Sequence, residues 1–228
     1  MLGLSEDGAE RLSVVIPALN AATTLRACVE RLAGANEIVV VDGGSSDGTP
    51  ALAAQLDAKV IEAPRGRGVQ LRAGAEAATG EWLLFLHADT LLEHGWQQAA
   101  REHMRAFPDH AACFRFRLDD PAWQARIIER GVSLRAGMLG LPYGDQGLLI
   151  SRRQYDALGG FRALPLMEDV DLVRRIGRKR LRPLDIAAVT SAARWRRDGW
   201  WWRSARNLLC LTLYGVGVSP DRIARLYG

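Results

Sequence analysis

The chain has 228 residues, of which 48% are hydrophobic and 25% charged, and a net charge of +4, a composition typical of an ordinary soluble globular protein. No segment approaches the roughly 20 consecutive apolar residues of a membrane span, which argues against an integral membrane protein. Residues 1–11 are mostly polar and acidic, so we expect no signal peptide.

The number and spacing of the cysteines indicate the cellular compartment. Three cysteines, an odd number without metal-ligand spacing, lie far apart at Cys28, Cys113 and Cys210. This pattern favours a reducing, cytoplasmic location, with the inner face of a membrane as the alternative. It also predicts that all three side chains pack in the protein interior.

The first part of the chain alternates apolar runs with helical patterns. The runs predict four strands, at 13–16, 37–42, 59–63 and 82–87, of which the first, the second and the fourth are buried. Between them we expect helices that end near Leu32, Leu56 and Ala78. This order, with short connections, predicts an α/β fold with a mostly parallel sheet wrapped by helices. Because Pro17 cannot donate to a central ladder, we expect the first strand to stop before it.

The second part mixes helical and strand patterns. In chain order it predicts helix 96–107, strand 111–118, helix 123–141, strand 147–151, helix 167–178 and strand pieces 182–186 and 188–193. The remainder is an amphipathic helical tail rich in tryptophan and arginine. We find no repeat or linker, which predicts a single domain over residues 1–228.

One strand ends abruptly in a carboxylate. The apolar run at 83–86 is followed by His87, Ala88, Asp89 and Thr90. In open α/β sheets, ligands bind at the carboxyl ends of the strands, so Asp89 is placed to meet a metal ion or a charged substrate. The alternative is that Asp89 caps a turn. His87 is either a second metal or phosphate contact or, as we favour, a hydrogen-bonded structural residue.

Two further acidic sites have similar settings. Asp42 ends a predicted strand and precedes Gly43 and Gly44, which let a ligand approach the backbone closely. Asp169 lies in a first helical turn, where the helix dipole favours anions. It is either a general base in a cleft or one of several charges on a solvated helix end.

Together these segments resemble family 2 of the inverting glycosyltransferases, which have the A-type fold. The resemblance covers about residues 12–195. It is carried by VVIPALN at 14–20, VVDGGSSDGT at 40–49, GEWLLFLHAD at 80–89, GGF at 159–161 and MED at 167–169. A closer match to the bacterial subgroup named for arsenosugar biosynthesis is carried by GRG at 66–68, LHADT at 86–90, GDQG at 144–147 and PLMEDV at 165–170.

The resemblance implies roles on the donor side. Pro17 and Ala18 would line the nucleotide pocket, and Asp42 with Gly43 would bind the uracil or ribose of a UDP-like donor. Arg67 would meet the nucleobase or the diphosphate.

It also implies the reacting groups. Asp89, beside Ala88, is the remaining acid of the family's DxD motif and would hold a divalent metal, Mn²⁺ or Mg²⁺; His87 stands where the motif has its first acid. Asp169 would be the catalytic base, and Asp145 and Glu168 would lie on the acceptor side.

The implied enzyme is a metal-dependent transferase that moves a sugar from a nucleoside diphosphate to an acceptor hydroxyl. Its single domain would have a nucleotide-sugar half at about 12–118, an acceptor half at about 119–195 and a helical tail at about 196–228. The acceptor would be a small molecule or a lipid-linked compound, and we expect no nucleic acid partner.

Two other functions fit parts of the sequence. A nucleotidyltransferase acting on a sugar phosphate also needs metal-bound carboxylates, but its basic glycine-rich loop would follow the first strand rather than the third. A membrane-surface binding module would use the arginines and tryptophans of the tail and leave the acidic sites without a role. For the tail itself, four interpretations stay open: a peripheral membrane contact, a homodimer contact, a cover over the acceptor cleft, and packed core.

Overall fold

The four strands predicted in the first part form one side of a mixed sheet. The computed structural model describes residues 11–139 and 144–227. Within them the sheet has eight strands in the order β3-β2-β1-β4-β7-β6-β8-β5. The strands are β1 Leu12–Ala18, β2 Glu37–Asp42, β3 Lys59–Glu62, β4 Trp82–Phe85, β5 Thr90–Leu92, β6 Ala111–Leu118, β7 Leu148–Ser151 and β8 Leu181–Thr190. We expect no signal peptide in residues 1–11, and residues 1–10 lie outside the described part.

Ten α-helices accompany the sheet in the same described residues. They are α1 Ala22–Arg31, α2 Thr49–Gln55, α3 Arg67–Ala77, α4 Trp96–Ala106, α5 Trp123–Leu139, α6 Arg152–Ala157, α7 Glu168–Ile176, α8 Ala193–Asp198, α9 Trp200–Gly215 and α10 Pro220–Tyr227. The last two residues of the predicted helix 123–141 lie outside the described part. None of the described helices is long and apolar enough to cross a bilayer.

The α/β fold is confirmed, and the sheet is parallel only in part. Strands β3, β2, β1 and β4 run parallel, as predicted. Beyond β4 the sheet reverses, because β7 pairs antiparallel with β4 and β6 antiparallel with β7. Strand β8 is parallel to β6 and antiparallel to the short strand β5.

The end of the first strand was predicted wrongly. Strand β1 runs on through Pro17, which pairs with Val41 of β2. The other neighbour, β4, stays in register with β1 only as far as Val15. The carbonyl of Val15 accepts from Leu86, so residue 15 and, by alternation, residue 17 face the β4 side. Because the β4 ladder has ended there, the missing N–H of Pro17 breaks no bond.

Two other strand assignments differ from the prediction, and one strand was not predicted. Strand β4 ends at Phe85, so His87 lies beyond it and strand alternation does not set its direction. The two predicted pieces at 182–186 and 188–193 are one strand, β8, which ends at Thr190. Strand β5 was not predicted, since three residues give too short a pattern.

Both faces of the sheet are covered by helices. Val14 and Ile16 of β1 pack into one hydrophobic cluster with α1 and α4, and Val15 packs into another with α3 and α7. Helix α3 lies so close to the sheet that a Cβ on Gly74 would be 2.3 Å from Val15 Cγ1. Glycine at this position therefore allows the helix to reach the strands that carry the site.

The C-terminal helices pack against β6 and α7. Trp195 lies with Phe116 of β6, and Cys210 and Ile223 lie with Val170 of α7. All three cysteines are buried and unpaired, as predicted. The tail is thus partly core.

Candidate active site

A cleft of about 620 Å³ opens where β1 and β4 end and the C-terminal helices begin. Its volume lies within the range of roughly 300–1,000 Å³ that is usual for small-molecule sites. Seven predicted site residues line it: Pro17, Ala18, Arg67, Ala88, Asp89, Asp145 and Asp169. The structure therefore brings the predicted donor side, the predicted metal ligand and the predicted base into one space.

Asp89 sits on the loop that follows β4. Its backbone carbonyl accepts from the N–H of Ser191 at 3.3 Å, which fixes the loop against the end of β8. Its side chain is 21% exposed, and Oδ2 lies 3.8 Å from Nη2 of Arg194. A carboxylate that is held by its backbone and keeps access to the cleft can bind a cation or a charged ligand.

Asp145 is tied to the same place by two buried hydroxyls. The hydroxyl of Thr190 donates to the carbonyl of Asp145 at 3.3 Å, and Thr190 Oγ1 lies 2.9 Å from Thr90 Oγ1. Thr90 directly follows Asp89. This chain of hydrogen bonds holds the backbones of Asp89 and Asp145 in a fixed relation.

Burial and two neighbouring acids disfavour the ionised form of Asp145. Burial raises the pKa of Asp145 to about 6; Arg135 and Arg67 oppose this rise, and the charges of Asp169 and Asp89 add to it. One of its oxygens, Oδ1, is buried without a hydrogen bond. A cation placed among these acids would offset their repulsion.

These residues fit a divalent metal ion. No group of three or more His, Cys, Asp or Glu side chains forms a ready metal site in ranges 11–139 and 144–227. Asp89 and Asp145 nevertheless supply carboxylate oxygens, the ligands that Mg²⁺ and Mn²⁺ prefer, and Oδ1 of Asp145 lacks a partner. A substrate diphosphate and water would have to complete the coordination, as is usual for magnesium sites.

The predicted Glu-Asp pair separates into two environments. Met167 adopts a left-handed conformation with φ of 66°, and helix α7 starts after it. Asp169 is half-buried and faces the cleft, and its Oδ1 accepts from the N–H of Val170 at 2.7 Å. Glu168 does not line this cleft, although we predicted it on the acceptor side. It is 1% exposed and pairs with Arg67, its Oε1 lying 2.9 Å from Nε.

The Arg67–Glu168 pair is strained by burial. Burial is the larger effect and raises the pKa of Glu168 to about 7, although Arg67 lowers it; Asp169 adds to the rise. Oε2 of Glu168 has no hydrogen bond. Burial and the charge of Asp169 therefore oppose the ionisation of Glu168, and the ion pair with Arg67 favours it.

The third acid of this turn is structural. Asp171 is buried, and its Oδ1 accepts from Arg162 at 3.0 Å while Oδ2 accepts from Arg175 at 2.6 Å. The hydroxyl of Tyr214 also reaches Oδ1, at 3.4 Å. Asp171 thus joins α7 to the loop before it and to α9.

Asp42 lies beside the cleft rather than in its wall. Its Oδ2 accepts from the N–H groups of Gly44 and Ser45, both at 2.9 Å, and Oδ1 is buried without a partner. Gly43 is likewise outside the lining. It packs against Gln70, since a Cβ on Gly43 would lie 3.0 Å from Nε2 of Gln70. The amide of Gln70, which sequence reasoning missed, donates to two backbone carbonyls and does line the cleft.

His87 lines the cleft as a neutral imidazole. Burial lowers its pKa to about 3, and the positive charges of Arg67 and Arg194 lower it further. A neutral ring can accept a hydrogen bond or coordinate a metal, but it does not neutralise a phosphate.

The C-terminal helices supply cleft residues that were not predicted individually. Arg194, Arg203 and Asn207 all line the cleft. Arg194 and Arg67 both lie close enough to His87 to lower its pKa. The only sequence signal for these residues was the arginine-rich tail, and one of its four interpretations was a cover over the acceptor cleft.

The fold is that of the GT-A-like glycosyltransferases. A mannosyltransferase from Pyrobaculum calidifontis, solved with GDP-Man and Mn²⁺, matches with a TM-score of 0.67 at 20% identity, over 92% of this chain and 66% of that one. The glucosyl-3-phosphoglycerate synthase of Mycobacterium tuberculosis, solved with UDP and Mn²⁺, matches with a TM-score of 0.56 at 20% identity, over 78% of this chain and 71% of that one.

The chain belongs to glycosyl transferase family 2, whose sequence model matches residues 13–153. A curated relative, a PGL/p-HBAD biosynthesis glycosyltransferase of Mycobacterium bovis, is 40% identical over 98 residues. That alignment spans 37% of this chain and 37% of the relative's length.

Proposed function

We propose that this protein is a metal-dependent inverting glycosyltransferase that uses a UDP-sugar as donor and an acceptor hydroxyl as nucleophile. The observation that carries the proposal is the shared cleft, in which Asp89 and Asp169 face one space and Asp145 adds a third acid. Family membership supports sugar transfer. The neighbours solved with Mn²⁺ and with UDP or GDP-Man support a nucleotide-sugar donor and a divalent metal.

Asp89 and Asp145 would hold the metal. Their backbones are fixed relative to each other through Thr90 and Thr190. The ion, when bound, would supply charge stabilisation for the departing diphosphate, worth several kcal/mol.

The chain's own cations would stabilise the same charge. Arg67 and Arg194 both act on His87 and both line the cleft. In the free protein, Nη2 of Arg194 lies 3.8 Å from Oδ2 of Asp89, and Arg67 pairs with the buried Glu168. A diphosphate would offer each arginine a doubly charged partner with matching oxygens.

Asp169 would be the general base. The acceptor oxygen attacks the anomeric carbon from the face opposite the diphosphate, its proton passes to the carboxylate of Asp169, and the bond to the leaving oxygen breaks with inversion. General-base catalysis supplies about 10²–10⁴-fold in rate.

Donor contacts would come from the first two strand ends. Pro17 and Ala18 line the cleft. Oδ1 of Asp42 is buried beside the cleft without a partner, so Asp42 and Gly43 would meet the uracil or ribose only if the loop after β2 moved. The amide of Gln70 would hold this end of the pocket in place.

A thermal-shift screen of nucleotide sugars with Mn²⁺ tests the proposal, because a ligand of the native state raises its apparent stability. We expect UDP-sugars to raise Tm only when Mn²⁺ is present. A shift with UTP but not with any UDP- or GDP-sugar would instead indicate nucleotidyl transfer, and no shift with any nucleotide would contradict the proposal.

Three finer statements remain predictions from the sequence. They are the membership of the arsenosugar-type subgroup, a cytoplasmic location, and a homodimer. The division into nucleotide-sugar half, acceptor half and tail is proposed on the same basis, with the amendment that residues of the tail complete the cleft.

A further inference from the structure

Helices α5 and α9 expose an unusual number of large apolar side chains. Seven residues, with exposures from 44% at Ile127 to 70% at Trp202, form what we call the α5–α9 surface. They are Trp123, Ile127, Leu134, Trp201, Trp202, Leu208 and Leu209. Contiguous exposed apolar patches are rare on monomeric proteins and mark interaction sites.

The spacing of these residues makes the surface continuous. On α9, Trp201 and Leu208 are seven residues apart, as are Trp202 and Leu209, so all four share one helical face. The two helices join where the rings of Trp123 and Trp201 lie 5.8 Å apart. The surface therefore extends across both helices.

The opposite face of α9 belongs to the proposed site. Arg203 and Cys210 are buried on that face, and both line the cleft. One helix thus has the cleft on one side and the exposed apolar residues on the other. Anything that covers the α5–α9 surface will lie next to the cleft.

The charge of the segment that carries α9 favours an anionic partner. Residues 193–228 contain seven arginines and two aspartates, a net charge of +5, whereas the whole chain carries +4. The side chains of Arg194, Arg196 and Arg197 are 52–75% exposed, whereas Arg203 is buried. In a twofold dimer the same patch meets itself, so this charge would repel its own copy. An anionic bilayer offers both an apolar interior for the tryptophans and leucines and negative headgroups for the arginines.

We propose that the α5–α9 surface seats this protein on an anionic lipid membrane. Helix α9 lies in the plane of the interface, with Trp201, Trp202, Leu208 and Leu209 entering the lipid. Tryptophan favours this boundary because its ring is amphipathic. The proposal goes beyond sugar transfer and does not depend on it.

Vesicle flotation of the full chain tests this placement. We expect the protein to float with vesicles of phosphatidylcholine plus phosphatidylglycerol and not with phosphatidylcholine alone. High salt should weaken flotation, because the Debye length falls from about 10 Å at 0.1 M to about 3 Å at 1 M. The double variant Trp202→Ser, Leu209→Ser should bind at least about tenfold more weakly, since burying one large apolar side chain already corresponds to that factor.

Leu226→Ser provides the matched control, because Leu226 is equally exposed but lies on α10. It should float like the wild type. The proposal is overturned if the wild-type protein floats with neither type of vesicle, or floats equally with both. It is also overturned by a dimer in light scattering that the double variant abolishes while vesicle binding is absent.

Calorimetry with UDP and Mn²⁺ separates this outcome from the transferase proposal. The double variant should bind UDP as the wild type does, because its two side chains point away from the cleft. Flotation without UDP binding would remove the transferase proposal and keep the membrane surface, and the reverse would remove only the surface.

Discussion

The two ends of this protein are held together by different chemistry. At the proposed donor end, hydrogen bonds to backbone groups close the loops: Asp42 accepts from the N–H groups of Gly44 and Ser45, and Gln70 donates to the carbonyls of Ala18 and Val41. In the region from α7 to α10, arginine–carboxylate pairs do so. Examples are the pairs of Asp171 with Arg162 and Arg175, and of Asp198 with Arg203.

The difference shows where an acid can meet a ligand. In the region from α7 to α10, an acid that faces the cleft can do so, whereas an acid that is buried between arginines cannot. Asp169 and Asp171 lie two residues apart on α7, yet only Asp169 faces the cleft. The comparison therefore predicts opposite phenotypes for neighbouring acids.

The largest expected effect concerns Asp169. Asp169→Asn keeps the shape of the side chain and removes the base, so transfer should fall by about 10²–10⁴-fold while UDP–Mn²⁺ binding is kept. Initial rates and calorimetry measure the two. Unchanged transfer would remove Asp169 from the reaction.

Asp171→Ala should show the converse. Removing one partner of a buried ion pair costs about 3–5 kcal/mol, and we expect about 3 kcal/mol here because the side chain of Arg162 is 62% exposed. Urea unfolding measures the free energy of unfolding, and the folded fraction should bind UDP normally. A stable variant that fails to bind UDP would break the distinction between the two acids.

At the donor end, Gln70→Leu should cost about 1–3 kcal/mol, because the carbonyl of Val41 loses the Gln70 amide donor in a buried place. The Tm and the affinity for UDP should both fall, since Gln70 also lines the cleft. Loss of stability with unchanged UDP affinity would show that the amide does not shape the donor pocket.

The smallest effect is expected on the surface. Arg26 and Glu30 form an exposed i,i+4 pair at 3.6 Å on α1. Arg26→Ala should change the free energy of unfolding by about 0.3–0.5 kcal/mol and leave UDP binding intact. A much larger loss would indicate that charge pairs also hold the donor end.

The same difference explains what the sequence could predict. Strands β1 and β4 are buried throughout and β2 over its last four residues, so apolar runs located them, and the polar residues after β4 placed Asp89 at a strand end. The stop at Pro17 was predicted wrongly, because a proline is tolerated where one neighbouring strand has already ended.

The C-terminal region could not be predicted to the same depth. Its geometry depends on long arginine side chains whose partners lie far away in sequence, such as Arg196 with Asp120. No local pattern reveals such pairs. The burial of Glu168 against Arg67 was missed for the same reason, since 101 residues separate the two.

Titration calorimetry of UDP with and without Mn²⁺, on the wild type and on Asp89→Asn, tests the central claim most directly. Asp185→Asn is the matched control, because the side chain of Asp185 is 95% exposed and outside the cleft lining. If Asp89 holds the metal, Mn²⁺ will strengthen UDP binding in the wild type and in Asp185→Asn but not in Asp89→Asn. Equal UDP affinity with and without Mn²⁺ in the wild type would contradict it.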